Sequence, residues 1–117
     1  VSHHGHDPEK MAICAKINAY HMSFYATLLQ RLQDIKEGDG TLLDSSLLLY
    51  GSGLGDGDAH SPLNLDTVVA GGTGAGIKWD RHINFNGEPF ANLLLTMLDK
   101  AGVRRETLGD GNGLLSL

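Results

Sequence analysis

Apolar residues recur at Ile13, Ile17, Tyr20, Phe24, Leu28, Leu32 and Ile35. Steps of three and four lay them in one stripe along a helix. The stripe predicts a helix from Pro8 to about Lys36, ending at Gly38. Its start is written in Asp7-Pro8-Glu9. Aspartate caps exposed N–H groups, proline suits the first helical position, and glutamate favours the positive end of the helix dipole. The period then changes. After the connector EGDGTLLDSS, Ser46–Tyr50 is apolar on both faces, the pattern of a strand covered on both sides. Gly51–Pro62 reads as loop, Leu65–Ala70 as a second buried strand, and Lys78–Phe85 as a third, more exposed one. Pro89 opens a second helix with Phe90, Leu93, Leu94, Met97, Leu98 and Ala101 apolar, and Gly102 behind it. The remainder from Arg104 is turn-rich, with a short strand expected at Leu114–Leu117.

Helix, three strands and helix, with buried strands between helices, predict an α/β layered domain. The 117 residues make one domain, 1–117, or part of a larger one. An apolar fraction of 41% with 20% charged residues is near ordinary globular usage. The formal net charge of −5 argues against nucleic acid as a partner, and Arg104–Arg105 is the densest basic feature. No apolar run approaches the roughly 20 residues that span a bilayer. Cys14 is the only cysteine and cannot form an internal disulfide. The chain opens on Val1 directly into a histidine cluster, which suggests a fragment of a longer protein.

Two stretches carry candidate chemistry. The first is Ser2-His3-His4-Gly5-His6-Asp7. Neutral imidazole is the commonest protein ligand for zinc and related ions, and carboxylate completes such sites. Asp7 has other work as the helix cap, and the run is not a plain tag because it flows into that helix start. The second is GSGLGDGDAH, Gly51 to His60, at the end of a predicted strand. Ligands in α/β sheets bind beyond the carboxyl ends of strands, and glycines there let backbone approach them. Asp56, Asp58 and His60 would project into that crevice; the alternative is a hydrophilic turn built from good turn formers. Known motifs fail at named positions. A calcium loop fails at Ser61 and Thr67, a dinucleotide fingerprint at Asp56, and a nucleophile elbow around Ser52 at Tyr50 and Leu54. GGTGAGIK lacks the spacing of a phosphate loop. His82 could face the same crevice. His21 reads as a helix-flank residue, Cys14 as a small core residue, and Trp79 as a half-buried strand residue.

The order of Ser2-His3-His4, GDGTLLD, LLLYGSGLGDGDAH, VVAGGTGAG, Arg81-His82 and PFANLLLTMLDKAGV resembles the C-terminal part of a bacterial family of unassigned function named for its HxxSHH motif. The resemblance covers nearly the whole chain. That family is similar, more distantly, to the alkaline phosphatase and sulfatase superfamily. The resemblance implies a partial α/β/α sandwich and one or two metal ions, often zinc, at strand carboxyl ends. It implies hydrolysis of phosphate or sulfate esters through a nucleophile in the N-terminal half, and an exported or periplasmic location. Its metal ligands would fall at His3, His4, Asp56 and His60, with His82 as a further candidate. The chain departs from the superfamily where a paired Asp-His should follow the strand matching LLLY, because Ser52, Gly53 and Leu54 stand there.

The first expectation is therefore the C-terminal piece of an exported, metal-dependent ester hydrolase, with zinc or another divalent metal as cofactor and a small-molecule ester or anion as partner. The second is a non-catalytic binding or structural domain of the same fold. The third is an isolated folding unit, inert alone, that self-associates through the surface its missing part should cover.

Overall fold

The computed structural model describes residues 2–117 as a mixture of helices and short antiparallel strand pairs. Helix α1, Pro8–Asp34, begins as its sequence dictates. Asp7 stays extended, and its carboxylate accepts the N–H groups of Glu9 at 2.9 Å and Lys10 at 3.2 Å. The helix stops two residues before the expected Lys36. There Ile35 turns extended, and a small hairpin, β1 (Lys36–Glu37) with β2 (Gly40–Thr41), turns at Gly38, where φ is +58°. The following turn is tied by Asp44, whose Oδ2 accepts the backbone N–H and the hydroxyl of Thr41 at 2.8 and 2.7 Å. Those donors hold the Asp44 carboxyl below the usual aspartate range.

Strands β3 (Leu47–Gly51) and β4 (Thr67–Gly71) match the predicted strands to within two residues. Their arrangement does not match. They pair antiparallel, Leu47 opposite Gly71 and Gly51 opposite Thr67, as a two-stranded sheet rather than as members of a larger covered one. Most of their side chains are half-buried, and Val68 is exposed. Gly71 has φ +83°, and a Cβ there would collide with the Ser46 carbonyl, so glycine is required at this crossing. Helix α1 lies against the pair through Tyr25. Its ring sits 5.2 Å from that of Tyr50, and its hydroxyl donates to the Leu48 carbonyl at 3.2 Å.

The third predicted strand, Lys78–Phe85, is not a strand. Asp80 takes φ +58° and the Arg81 Nε donates back to the Lys78 carbonyl at 3.1 Å, so the segment turns on itself and enters no ladder. Helix α2, Phe90–Lys100, follows Pro89 as expected. It ends in a Schellman motif: Gly102, at φ +82°, donates to Asp99 and Val103 donates to Leu98. Leu93 and Leu95 of α2, with Ile77 and Tyr25, are the buried apolar residues among those described. Beside them Asn92 and Thr96 are buried and fully bonded. Asn92 Oδ1 accepts the N–H groups of Asn112 and Gly113, and Thr96 Oγ1 accepts that of Leu115. The expected terminal strand at Leu114–Leu117 is thus irregular chain, held to α2 by side chains instead of by a sheet.

Candidate functional site

The stretch after β3 folds back on itself. Gly55 N–H donates to the Ser61 carbonyl at 2.9 Å, and Asp56 and Ser61 form a single antiparallel bridge. A Cβ at Gly55 would strike the Leu63 carbonyl, which is why this close crossing needs glycine. Inside the bridge, Asp56 Oδ1 accepts the N–H groups of Asp58 at 2.8 Å and Ala59 at 3.2 Å. This Asx turn uses the carboxylate as a local backbone partner. Those two N–H groups, foremost that of Ala59, hold its carboxyl below the usual range. The turn leaves Gly57 to His60 at the tip, with His60 in the left-handed region at φ +51°.

The amino-terminal residues lie across this tip. A Cβ added at Gly57 would come within 3.3 Å of the Ser2 Cβ, so the two segments are in close approach. The Gly5 N–H donates to Asp58 Oδ1 at 2.9 Å. His3 Nε2 and His60 Nε2 stand 2.7 Å apart, with the rings edge to face at 4.7 Å between centroids. At that distance one Nε2 donates and the other accepts. His4 Nδ1 lies 4.0 Å from Asp58 Oδ2. The Asp58 carboxyl is held low, first by the Gly5 N–H and further by His4 and His6.

Of the residues expected at a metal site, the fold brings His3 against His60 across more than fifty residues of chain and sets His4 beside Asp58. It assigns Asp56 to the turn. His82 is exposed on the 78–86 segment and shares no hydrogen bond, ion pair or ring contact with the others. Asp58 was expected to face the crevice, but its bond to the Gly5 N–H and the direct His3–His60 contact are not evident from sequence. One local signal pointed to Asp58: in D-G-D the first aspartate closes an Asx turn, which frees the second to face outward.

Imidazole and carboxylate are donor types that suit a zinc-class ion. Among the described residues, however, no group of three or more His, Cys, Asp or Glu is arranged to hold a metal. Two nitrogens bound to one zinc at 2.0–2.1 Å stand about 3.3 Å apart in tetrahedral geometry. The His3–His60 pair, at 2.7 Å, would open by about 0.6 Å to admit an ion between them.

Two depressions lie elsewhere. A groove of about 450 Å³ is lined by residues including Asp44, Ser46, Leu47, Gly72 and Lys100, whose Nζ donates to the Ala75 carbonyl. A smaller apolar one of about 230 Å³ includes Leu49, Leu65, Thr67 and Phe90. No helix is long and apolar enough to cross a membrane among the described residues. Comparison of the chain with protein-family models, with curated proteins and with solved structures returns no match.

Proposed function

We propose that this chain is the C-terminal part of an α/β/α sandwich of the alkaline phosphatase type, and that it supplies ligands to a divalent metal for hydrolysis of phosphate or sulfate esters. The HxxSHH-family resemblance carries the reaction class and the exported location. The observation that supports it most is the 2.7 Å approach of His3 Nε2 to His60 Nε2, which joins the SHH segment to the loop after β3. When bound, the ion polarises an ester oxygen and stabilises charge on the transferring group. The chain's own residues orient and present donors. The Asp56 turn fixes the tip that carries His60, and the Gly5–Asp58 bond fixes the SHH segment over it. Ester turnover would require a nucleophile from elsewhere in the domain, as the resemblance implies.

The experiment is metal content by mass spectrometry, with His60→Ala and His4→Ala variants beside the wild type. The expected result is near-stoichiometric zinc-class metal in the wild type and loss of it in His60→Ala. A wild type that retains and binds no divalent metal removes the proposal.

A second reading, a non-catalytic domain of the same fold, is favoured by one observation: Asp56 is engaged by its own turn where a ligand was expected. It predicts no turnover of generic phosphate and sulfate esters with metal supplied. Reproducible turnover abolished by His60→Ala would reject it.

A further inference from the structure

Asparagine followed by glycine is the step at which a chain most readily attacks its own side chain, because glycine has no Cβ to shield the backbone nitrogen. The sequence has two such steps, Asn86-Gly87 and Asn112-Gly113. The fold treats them differently.

Asn86 and Gly87 are the exposed centre of the turn that precedes Pro89 and α2. The Glu88 N–H donates to the Phe85 carbonyl at 2.9 Å and closes that turn. Gly87 sits at φ +76°, as the third residue of a type II turn does. Its own N–H takes no part in the closing bond and meets no acceptor among the described residues. A Cβ built on Gly87 would have nothing within 4 Å, so its nitrogen is open both to solvent and to the Asn86 side chain.

Gly113 is held. Its N–H donates to Asn92 Oδ1 at 3.1 Å, and the Asn112 N–H donates to the same oxygen at 2.8 Å. Asn92 is 2% exposed, and its Nδ2 donates in turn to Glu88 Oε2 at 2.7 Å. The Gly113 nitrogen cannot swing onto the Asn112 side chain without giving up this buried acceptor.

We infer that Asn86 is a site of spontaneous deamidation in the folded protein, and that Asn92 protects Asn112 from the same reaction. Hydroxide takes the Gly87 amide proton, and the nitrogen attacks Asn86 Cγ. The new N–Cγ bond closes a five-membered imide as the Cγ–Nδ2 bond breaks. Nδ2 leaves as ammonia with a proton from water, which regenerates hydroxide. Water then opens either imide carbonyl, giving aspartate or isoaspartate; nothing is oxidised or reduced. Both products add a negative charge two residues before Glu88. Isoaspartate also lengthens the main chain by one carbon inside the turn that Phe85 and Glu88 close. None of this depends on the metal reading.

The test incubates the whole chain in mildly alkaline buffer, once native and once in urea. Peptide mapping follows the amide-to-acid mass change at both steps, and electron-transfer fragmentation identifies isoaspartate. In the native protein Asn86 is expected to convert about tenfold or more faster than Asn112, the factor set by the hydrogen bonds that Asn112 and Gly113 must give up. In urea the two rates should become similar. Asn92→Ala, with α2 intact by chemical shift, should raise the native Asn112 rate because the shared acceptor is gone. Native rates that are alike overturn the inference, as does a preference for Asn86 that persists undiminished in urea. An Asn112 rate unmoved by Asn92→Ala overturns the protective role of Asn92.

Discussion

Both helices carry apolar residues at steps of three and four, the stripe much weaker in α1 than in α2, and they meet opposite fates. Helix α2 buries Leu93 and Leu95, bonds its buried Asn92 and Thr96 to the chain's last residues, and closes in a Schellman motif. Helix α1 is more than twice as long, yet Tyr25 is the one residue of it that is buried. Ile13, Ile17, Tyr20, Phe24 and Leu28, the stripe that predicted the helix, are all exposed, Tyr20 by 63% and Phe24 by 56%. They lie within one face by the 3.6-residue period, away from the Tyr25 side that meets β3. The accessible surface of 8309 Å² is about a third more than the roughly 6,200 Å² expected of a folded monomer of this mass. The radius of gyration, 16.4 Å, exceeds the roughly 13 Å expected for this length. Periodicity therefore decides which face of a helix is apolar; it does not decide whether anything covers that face.

The sharpest way to break this contrast is a pair of truncations. Leu95→Ala, at a site 2% exposed, is expected to cost about 2–5 kcal/mol. Ile17→Ala, on the open face of α1, is expected to cost well under 1 kcal/mol, near the ordinary surface range of about 0.5 kcal/mol either way. Urea unfolding of the two variants measures both. A large cost at Ile17 would mean that α1 is covered in solution, and light scattering would then show whether a second copy of the chain covers it.

Asn92→Ala probes the well-packed side from its polar edge. It leaves the Asn112 and Gly113 N–H groups without their acceptor, so about 1–3 kcal/mol should be lost. Hydrogen exchange at those two amides should accelerate together with that at Leu115. If it does not, the last residues are held by something other than Asn92 and Thr96.

On the α1 side the largest local term is the cap. Asp7→Ala removes the acceptor for Glu9 and Lys10 and should cost about 1 kcal/mol, with fraying confined to the first turn by helix-region chemical shifts. Equal fraying at both helix ends would show that α1 is held along its length and not at its start.

The same contrast explains what could be read from the sequence. The start of α1 at Asp7-Pro8 and the stop of α2 at Gly102 were legible because the donors and acceptors are within a few residues of each other. Strand identity at β3 and β4 was legible from apolar runs. Strand partnership was not, because an apolar run does not say whether its neighbour runs parallel, antiparallel or is absent. Lys78–Phe85 failed for that reason: its residues suit a strand, but Asp80 in the left-handed region turns the chain before any ladder can form. At the site, the histidines were legible by type and cluster. Their pairing was not, because the His3–His60 contact closes 57 residues of chain and depends on where α1 lies against the β3–β4 pair. The engagement of Asp56 in its own turn was a local feature that the D-G-D spacing already contained.

The smallest expected effect concerns acid stability and compares two turns outside either helix. Asp44 and Asp56 both have carboxyls lowered below the ordinary value, Asp44 first by the Thr41 hydroxyl and Asp56 first by the Ala59 N–H. A carboxyl lowered in the folded state binds fewer protons there than in the unfolded chain. Its stabilisation is complete above the unfolded value of about 3.9 and fades as pH falls through the lower folded value. Asn at either position keeps an oxygen acceptor for the turn but has no proton to take up. Asp44→Asn and Asp56→Asn should therefore flatten the loss of stability below about pH 4 while changing little near pH 7. Asp56 is exposed and Asp44 only half-buried, so the change in slope should be modest. Thermal unfolding at several pH values reads it, and an unchanged acid slope in both variants would show that these turns do not hold their charges in solution.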